Sequence, residues 1–483
     1  MTKNKILIYL ILLCSYSFFL GCSVVPSSGK NEFVLLSEEE EQGIGNREHP
    51  KIIEQFGGIY KNESLQNYVD SLGKFLVSTT ETPKKKFTFT ILNTPIINAF
   101  ALPGGYIYLT RGLIYLCQNE AQLAGVIAHE IGHITGRHSA KRYTQAISTN
   151  LLANLLGTLT KNPLTNNLLN TSASLYLLSY SRKHEYEADK LATRYMVRAG
   201  FDPNEMANFL KVMENFSNLQ KKISGNEKKI SELLLTHPTS SKRVMEVINN
   251  SKEKVPYKPI IGREIFLKKI DGMLYGDKPE NGFFFKNKFI HKPLDFSFDF
   301  DEVFYFLNYP KFLIGNSENQ AKIIFTIDKN SGQDDAKYFS KWGKVSSKKI
   351  KDLKKNELLN GFLVSSCIIE KSDKILKLAL IKDNKLFYKF SLIVDREKFD
   401  NFAVKFDNTI KSFKKVSDNP SLKNLNPPTI KILSNNEDFN NVKSNSLVSK
   451  INLQKKYSKE IFSAINHTEK NNEKGFKKLK VIY

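Results

Sequence analysis

The stretch Val126-Ile-Ala-His-Glu-Ile-Gly-His-Ile-Thr135 constrains this chain more than any other, because it contains H-E-x-x-H. On an α-helix, residues four apart project from the same face, so His129 and His133 can grip one metal ion. Glu130 lies beside them, where it can take a proton from a water held at that metal. The flanks read as helix. Asn119 can serve as N-cap with Gln122 three residues on, and Leu123, Val126, Ile127, Ile131 and Ile134 recur at helical spacing. A lone histidine on an apolar helix is ordinarily a core residue with one hydrogen bond. In a chain with 8 histidines the whole pattern arises by chance about once in a hundred such chains. The motif is read as a site for one zinc ion per chain.

Two histidines need a third ligand, and Ser181-Arg-Lys-His-Glu-Tyr-Glu-Ala-Asp189 supplies it from a second helix. Glu185 and Asp189 are four apart on one face. Glu185 can therefore coordinate zinc while Asp189 accepts a hydrogen bond from a ligating imidazole and fixes its tautomer. Alone, the pair would be a solvated helix face; beside HEIGH it is not. Glu187 points elsewhere, and His184 turns about 100° from Glu185, which makes it a poor ligand. His138, five residues after His133, is likewise expected off the metal face. His237 before Pro238 reads as a helix start with Arg243 one to two turns on, and its plain reading is a cap.

At 483 residues the chain exceeds what one core usually fills, so two or three domains are expected. The formal net charge is +23, with 72 Lys and Arg against 49 Asp and Glu spread along the sequence. A nucleic-acid reader would gather that charge beside aromatics on one face, and no such motif is present, so no nucleic-acid partner is expected. A Lys- and Asn-rich background with some attraction to anionic surfaces accounts for the charge. Residues 1–21 read as a signal: Lys3 and Lys5 precede an apolar run from Ile6 to Leu20 that is too short for a transmembrane helix. The run ends in Phe19-Leu20-Gly21-Cys22, which resembles the lipobox of bacterial lipoproteins, although Phe stands where Leu is usual. That resemblance implies a lipid on Cys22 and, with Ser23 following, an outer-membrane lipoprotein facing the periplasm. A plain secretory signal or an uncleaved anchor are the alternatives. Cys117 and Cys367 lie in apolar surroundings in different parts of the chain, so no disulfide framework is expected.

Residues 22–36 read as a polar tether. Ser37-Glu38-Glu39-Glu40 offers a capping box, residues 63–78 form an amphipathic helix, and residues 86–92 alternate as a strand. Asn98 to Arg111 reads as strand, turn and strand around Pro103-Gly104-Gly105. Such a hairpin could leave an edge beside the metal for an extended peptide, or be an ordinary hairpin. Residues 143–180 look helical and apolar but are interrupted at Lys161-Asn-Pro163, so buried helix with a loop is expected rather than a membrane insertion.

Together the HEIGH helix, the Asn98-Ala-Phe-Ala-Leu-Pro-Gly-Gly105 hairpin, the Ser181–Asp189 helix, Ala199-Gly-Phe-Asp-Pro203 and Thr236-His-Pro238 resemble the zinc peptidase family that contains HtpX and the CAAX prenyl proteases. The resemblance covers roughly residues 35–250 and is strongest to the soluble periplasmic, BepA-like branch. It implies an α+β fold: a mainly helical gluzincin (zincin-like) peptidase domain over 37–252 with a small edge hairpin. It further implies that His129, His133 and Glu185 bind zinc, that Glu130 is the general base, and that His237 can plug the open coordination position. Ala192 stands where the family often has Gly, which touches packing more than chemistry.

Past Lys252 the pattern turns to alternation. Strands are expected within 283–300, 321–328, 361–370, 375–381 and 386–394, then a helix over 397–415 carrying a Phe stripe that reads as core. Residues 253–415 thus form a second, α+β domain without recognisable catalytic residues. It lacks the tetratricopeptide pattern of BepA-like relatives, so partner contacts do not carry over. Residues 416–483 are a linker and a small tail whose strand, helix, "F-x-x-x-N" and "G-x-x-x-K-V" order faintly resembles a LysM module, with a plain stabilising tail as the alternative. The expected function is that of an envelope metalloendopeptidase acting on unfolded or stalled envelope proteins. A latent assembly factor and a peptidoglycan-associated hydrolase are the rivals.

Overall fold

The computed structural model describes residues 22–145, 180–224, 236–237, 241–251, 255–309, 311–318, 321–434, 454–466 and 478–483. The signal stretch, nearly all of 143–180 and Gly475-Phe of the tail lie outside them. The chain is α+β and divides into two compact units, 1–216 with 230–271 and 217–229 with 272–483. The first unit reaches Asp271, past the Lys252 boundary at which the sequence pattern changes, because the helix Arg263–Ile270 packs on two helices of that unit.

In the first unit the chain opens with a hairpin, β1 (Cys22–Val25) and β2 (Lys30–Phe33), where the sequence reads as a tether. Val25, Val34 and Leu36 are buried, and that apolar anchorage ties the segment down. α1 (Glu38–Gln55) starts at the expected capping box, with Ser37 Oγ accepting from Glu40 N at 3.2 Å and Glu40 Oε2 accepting from Ser37 N at 2.7 Å. α2 (Glu63–Ser78) buries Leu65, Val69, Leu72 and Leu76. β3 (Thr88–Leu92), β4 (Ala99–Leu102) and β5 (Tyr106–Thr110) form a sheet of order β3-β5-β4, with β3 parallel and β4 antiparallel to β5. Gly104 (φ 81°) and Gly105 (φ 91°) make the left-handed turn between β4 and β5 that L side chains resist.

A short helix, α3 (Arg111–Leu116), leads into α4 (Glu120–Thr135), the HEIGH helix. Every residue of α4 from Ala121 onward is buried, because α2, α5 (Arg182–Arg198), α8 (Arg263–Ile270), β4 and β5 surround it. α6 (Asn204–Ser224) and α7 (Ser241–Ser251) complete the helices around the site. The first turn of α4 is fully supplied. Asn119 Oδ1 accepts from Gln122 N at 2.8 Å, Ile261 O accepts from Ala121 N at 3.1 Å, and Glu205 Oε2 accepts from both the Asn119 and Gln122 amides at 2.7 and 2.9 Å.

α4 ends sharply. Gly136 caps it, and Arg137 takes a left-handed conformation (φ 52°) that folds the next residues back beneath the last turn. Buried Arg137 is held by Glu41, whose Oε1 accepts from Nε at 2.9 Å and Nη2 at 2.7 Å, while Leu36 O accepts from Nη2 at 2.6 Å.

In the second unit β6 (Phe283–Phe285), β7 (Lys288–His291) and β8 (Phe296–Asp299) form one antiparallel sheet. β9 (Tyr305–Tyr309), β10 (Phe312–Ser317), β11 (Ala321–Lys329), β12 (Ile350–Leu359), β13 (Phe362–Glu370), β14 (Lys374–Lys382) and β15 (Leu386–Asp395) form a second, of order β12-β13-β14-β15-β11-β10-β9. The expected strands are there, joined by β9, β10 and lysine-rich β12, which carry no alternation strong enough to read. Successive residues serve opposite faces: Tyr388, Phe390 and Leu392 join Phe296, Phe298, Phe402 and Phe406, whereas Phe387 joins Phe339, Ile369 and Leu380. The Phe stripe is core on α10 (Phe399–Lys411), and α9 (Asp335–Gly343) covers the other face. In the tail β16 (Ile430–Ser434) pairs antiparallel with β17 (Lys478–Ile482) beside α11 (Ser458–Asn466). The side-chain amide of Asn466, the last residue of "F-x-x-x-N", clasps the backbone of Lys480, donating from Nδ2 to its O and accepting from its N–H at Oδ1, each at 2.8 Å. Cys117 and Cys367 are buried and form no disulfide among the described residues, and among those residues no helix is long and apolar enough to cross a membrane.

The Glu41–Arg137 pair is buried on both sides, so removing the carboxylate takes the paired charge from a buried guanidinium. Glu41→Ala is expected to lower unfolding free energy by about 3 kcal/mol, measured by urea denaturation of the zinc-free protein.

Candidate metal centre

α4 and α5 can approach closely because the fourth residue of HEIGH is glycine: a Cβ on Gly132 would lie 3.1 Å from Ala188 O and 3.3 Å from Ala188 Cα. That approach delivers Glu185 to the histidines. His129 Nε2 and His133 Nε2 are 3.0 Å apart, and the Glu185 carboxylate lies 3.6 Å from the first and 3.5 Å from the second. His237 joins them, its Nδ1 3.3 Å from His129 Nε2 and 3.1 Å from Glu185 Oε1. All four donor atoms lie within 4.8 Å of one another, and all four residues are buried.

This set fits a metal ion. Bond lengths of about 2.0–2.1 Å in a tetrahedron put ligand atoms about 3.3 Å apart, close to the 3.0–3.6 Å that separates His129, His133 and Glu185. Two imidazole nitrogens facing each other beside a carboxylate also need something positive between them. The surrounding charge agrees, since among the described residues the buried Glu130, Glu185 and Asp189 at the cluster are offset by one buried cation in contact with them, Arg243. With neutral histidines those four leave a double negative charge, which a divalent cation cancels.

Asp189 and Arg243 stand around this set. Asp189 Oδ1 is 3.0 Å from His129 Nδ1, the ring nitrogen facing away from the donor cluster. Arg243 ties the two carboxylates together, donating from Nε and Nη2 to Asp189 at 2.7 Å each and lying 2.7 Å from Glu185 Oε2 through Nη1. Burial opposes ionisation of Glu185, but His237, His129 and His133 outweigh it and hold the carboxyl well below its usual range. Asp189 is likewise lowered, against its burial, by Arg243 and His129. Burial pushes the Glu130 carboxyl up, which suits a proton acceptor. Among the described residues Glu130 Oε2 has no hydrogen-bond partner, and its Oε1 lies 3.5 Å from His237 Nε2. The His237 ring thus stands between the donor cluster and Glu130.

β4 is the edge of its sheet and packs on α4, as a substrate-binding edge would, but its residues are buried and Thr236 Oγ1 reaches Asn98 Oδ1 at 3.4 Å. An apolar pocket of about 30 Å³ lies beside Glu130, lined by Val126, Phe209, Leu210 and Met213 among others. His184 and Glu187 stand outside the donor set, as expected. His138 is no ligand either, but it is not remote: its Nδ1 lies 2.9 Å from His133 Nδ1. Counting five helical residues from His133 missed this because the helix stops at Thr135. Gly136, a helix-stop residue, was the available signal. Tyr180, stacked on the His133 ring at 3.8 Å, carried no signal in the sequence.

Residues 63–250 match peptidase family M48. The Beta-barrel assembly-enhancing protease of Escherichia coli (strain K12) is 30% identical over 247 residues, 49% of each chain. The Mitochondrial metalloendopeptidase OMA1 of Saccharomyces cerevisiae is 29% identical over 268 residues, 49% of this chain and 72% of that one. The chain spans about half the length of the first of these relatives. Among solved structures, the cyanobacterial PsbP protein of Synechocystis sp. PCC 6803 aligns with 26% of this chain and 91% of its own, at 10% identity and a TM-score of 0.23. That last likeness is too slight to use. The histidines, glutamate and aspartate of the cluster fall within the matched region, and residues 63–250 are a peptidase family M48 domain.

Proposed function

We propose that this chain is a zinc metalloendopeptidase in which His129, His133 and Glu185 hold one zinc ion and Glu130 is the general base. The observation that carries this reading is the convergence of four buried donor atoms within 4.8 Å of one another, beside a buried carboxylate oxygen with no hydrogen-bond partner among the described residues. When bound, zinc supplies the positive charge that polarises a scissile carbonyl and favours ionisation of water. Asp189 holds the tautomer of His129, leaving Nε2 free to ligate, and Arg243 keeps Asp189 and Glu185 ionised and aligned. Glu130 takes the proton from the attacking water and returns it to the departing amine, its raised affinity for protons matched to both steps. An apolar substrate side chain sits beside Val126, Phe209 and Leu210.

In the conformation described, His237 supplies a fourth donor and stands where the attacking water must be. The chain is therefore read as latent, with His237 as the plug that has to leave. This closed set is also what favours the second reading, a chaperone-like assembly factor that holds clients without cutting them. The zincin-like (gluzincin) class of residues 37–252 belongs to the same proposal. So do unfolded or misassembled envelope proteins as substrates, by analogy with a relative named for enhancing β-barrel assembly. A periplasmic, outer-membrane location through a lipid on Cys22 rests on the lipobox alone, and peptidoglycan binding by the tail rests on its strand, helix and strand order.

Glu130→Gln is expected to retain zinc, measured by elemental analysis, while casein hydrolysis falls by about 10²–10⁴-fold. Loss of zinc from that variant, or undiminished cleavage, would remove Glu130 from its role. His237→Ala is expected to retain zinc and cleave casein about tenfold faster than wild type, the effect of lifting a preference of roughly 1.4 kcal/mol for the closed state. Zinc-loaded wild type and His237→Ala that both leave unfolded proteins intact would select the assembly-factor reading.

A further inference from the structure

The metal-facing histidines are supported differently on their far sides. His129 meets Asp189 directly, whereas the far nitrogen of His133 meets another histidine. We propose that His138 and Glu187 form an outer relay that orients His133 for the metal, closed at its far end by Ser27 of the β1–β2 hairpin. This rests on the reading of His133 as a zinc ligand through Nε2.

Hydrogen-bond bookkeeping fixes the direction of the chain. If Nε2 of His133 gives its lone pair to zinc, Nδ1 carries the proton and must donate. The acceptor in reach is His138 Nδ1 at 2.9 Å. His138, accepting there, carries its own proton on Nε2, which faces Glu187 Oε2 at 3.3 Å as an ion-pair contact, outside aligned hydrogen-bond geometry. Glu187 Oε1 in turn accepts from Ser27 Oγ at 3.4 Å, and Ser27 is itself fixed by its N–H to Thr135 O at 3.2 Å. Each group in this series has one role, and none is left with two donors facing.

Three further contacts show that the site is shaped around His138. A Cβ on Gly136 would lie 2.5 Å from His138 Nε2, so residue 136 must lack a side chain for the ring to return under the helix. The left-handed Arg137 makes that return, locked by Glu41. His184 stacks on His138 at 4.5 Å and 12°, while Tyr180 stacks on His133 at 3.8 Å and 18°, so both rings are held flat. An ordinary core histidine would spend its nitrogens on backbone carbonyls. His138, with no exposed surface, faces a ligating ring on one side and a carboxylate on the other.

The test is zinc affinity by competition with a chromophoric chelator, beside thermal unfolding of the zinc-free proteins. His138→Leu is expected to weaken zinc binding about 10–100-fold and Glu187→Ala about tenfold, the range for outer partners of a metal ligand. His138→Gln can accept with its amide oxygen and donate with its amide nitrogen, so it should stay within about threefold of wild type. Wild-type affinity in His138→Leu, with only the zinc-free melting temperature lowered, would make the histidine merely structural and overturn the relay. So would a His138→Gln variant as weak as His138→Leu. If His138→Leu does not fold, Glu187→Ala, which changes a partly exposed side chain, decides: unchanged affinity overturns the relay. A wild-type protein that takes up no zinc instead overturns the metal assignment itself.

Discussion

The packing of α4 against α5 is the contact on which the rest depends. It brings ionisable groups from two helices together inside a protein, an arrangement whose desolvation cost is repaid only by complete pairing. Gly132 allows the approach, and the pairing is thorough: Arg243 spans Glu185 and Asp189, and Asp189 backs His129. Among the described residues Glu130 Oε2 is buried without a hydrogen-bond partner, whereas Glu185 Oε2, which makes none either, keeps Arg243 Nη1 at 2.7 Å. An oxygen without such company suits the proton-accepting role proposed for Glu130.

Support for that core comes from unlike sources. The start of α4 is held by polar caps and by Glu205 from α6. Its end is held by a left-handed residue and a buried ion pair reaching back to α1. Polar fixation at both ends of a helix that is otherwise buried stops it from sliding or rotating, which apolar contacts alone permit. The rotation of α4 sets where both histidines point.

Much of the first unit was legible because its chemistry is local. Capping boxes, helical periodicity and the H-E-x-x-H spacing each act over a few residues, and the pairs His129–His133 and Glu185–Asp189 follow from one turn of helix. What escaped the sequence is non-local or depends on where a helix stops. The contact between His138 and His133 needs the turn at Gly136 and Arg137, and counting along an ideal helix placed that histidine elsewhere. The hairpin at residues 22–33 hides in a polar segment because only a few side chains, Val25 among them, anchor it. In the second unit the strands with clean alternation were readable, whereas β12, with five charged residues among ten, was not. Nothing local marks such a strand; its partner β13 defines it.

The docked hairpin sets a limit on reach. By Ser27 the chain is already bonded to the last turn of α4, and five extended residues cover at most about 17 Å. A group attached at Cys22 would therefore hold the peptidase domain on a leash with almost no slack. An enzyme so fixed cannot sweep a volume in search of substrate. Anchored in that way it would meet only the chains delivered to the anchoring surface.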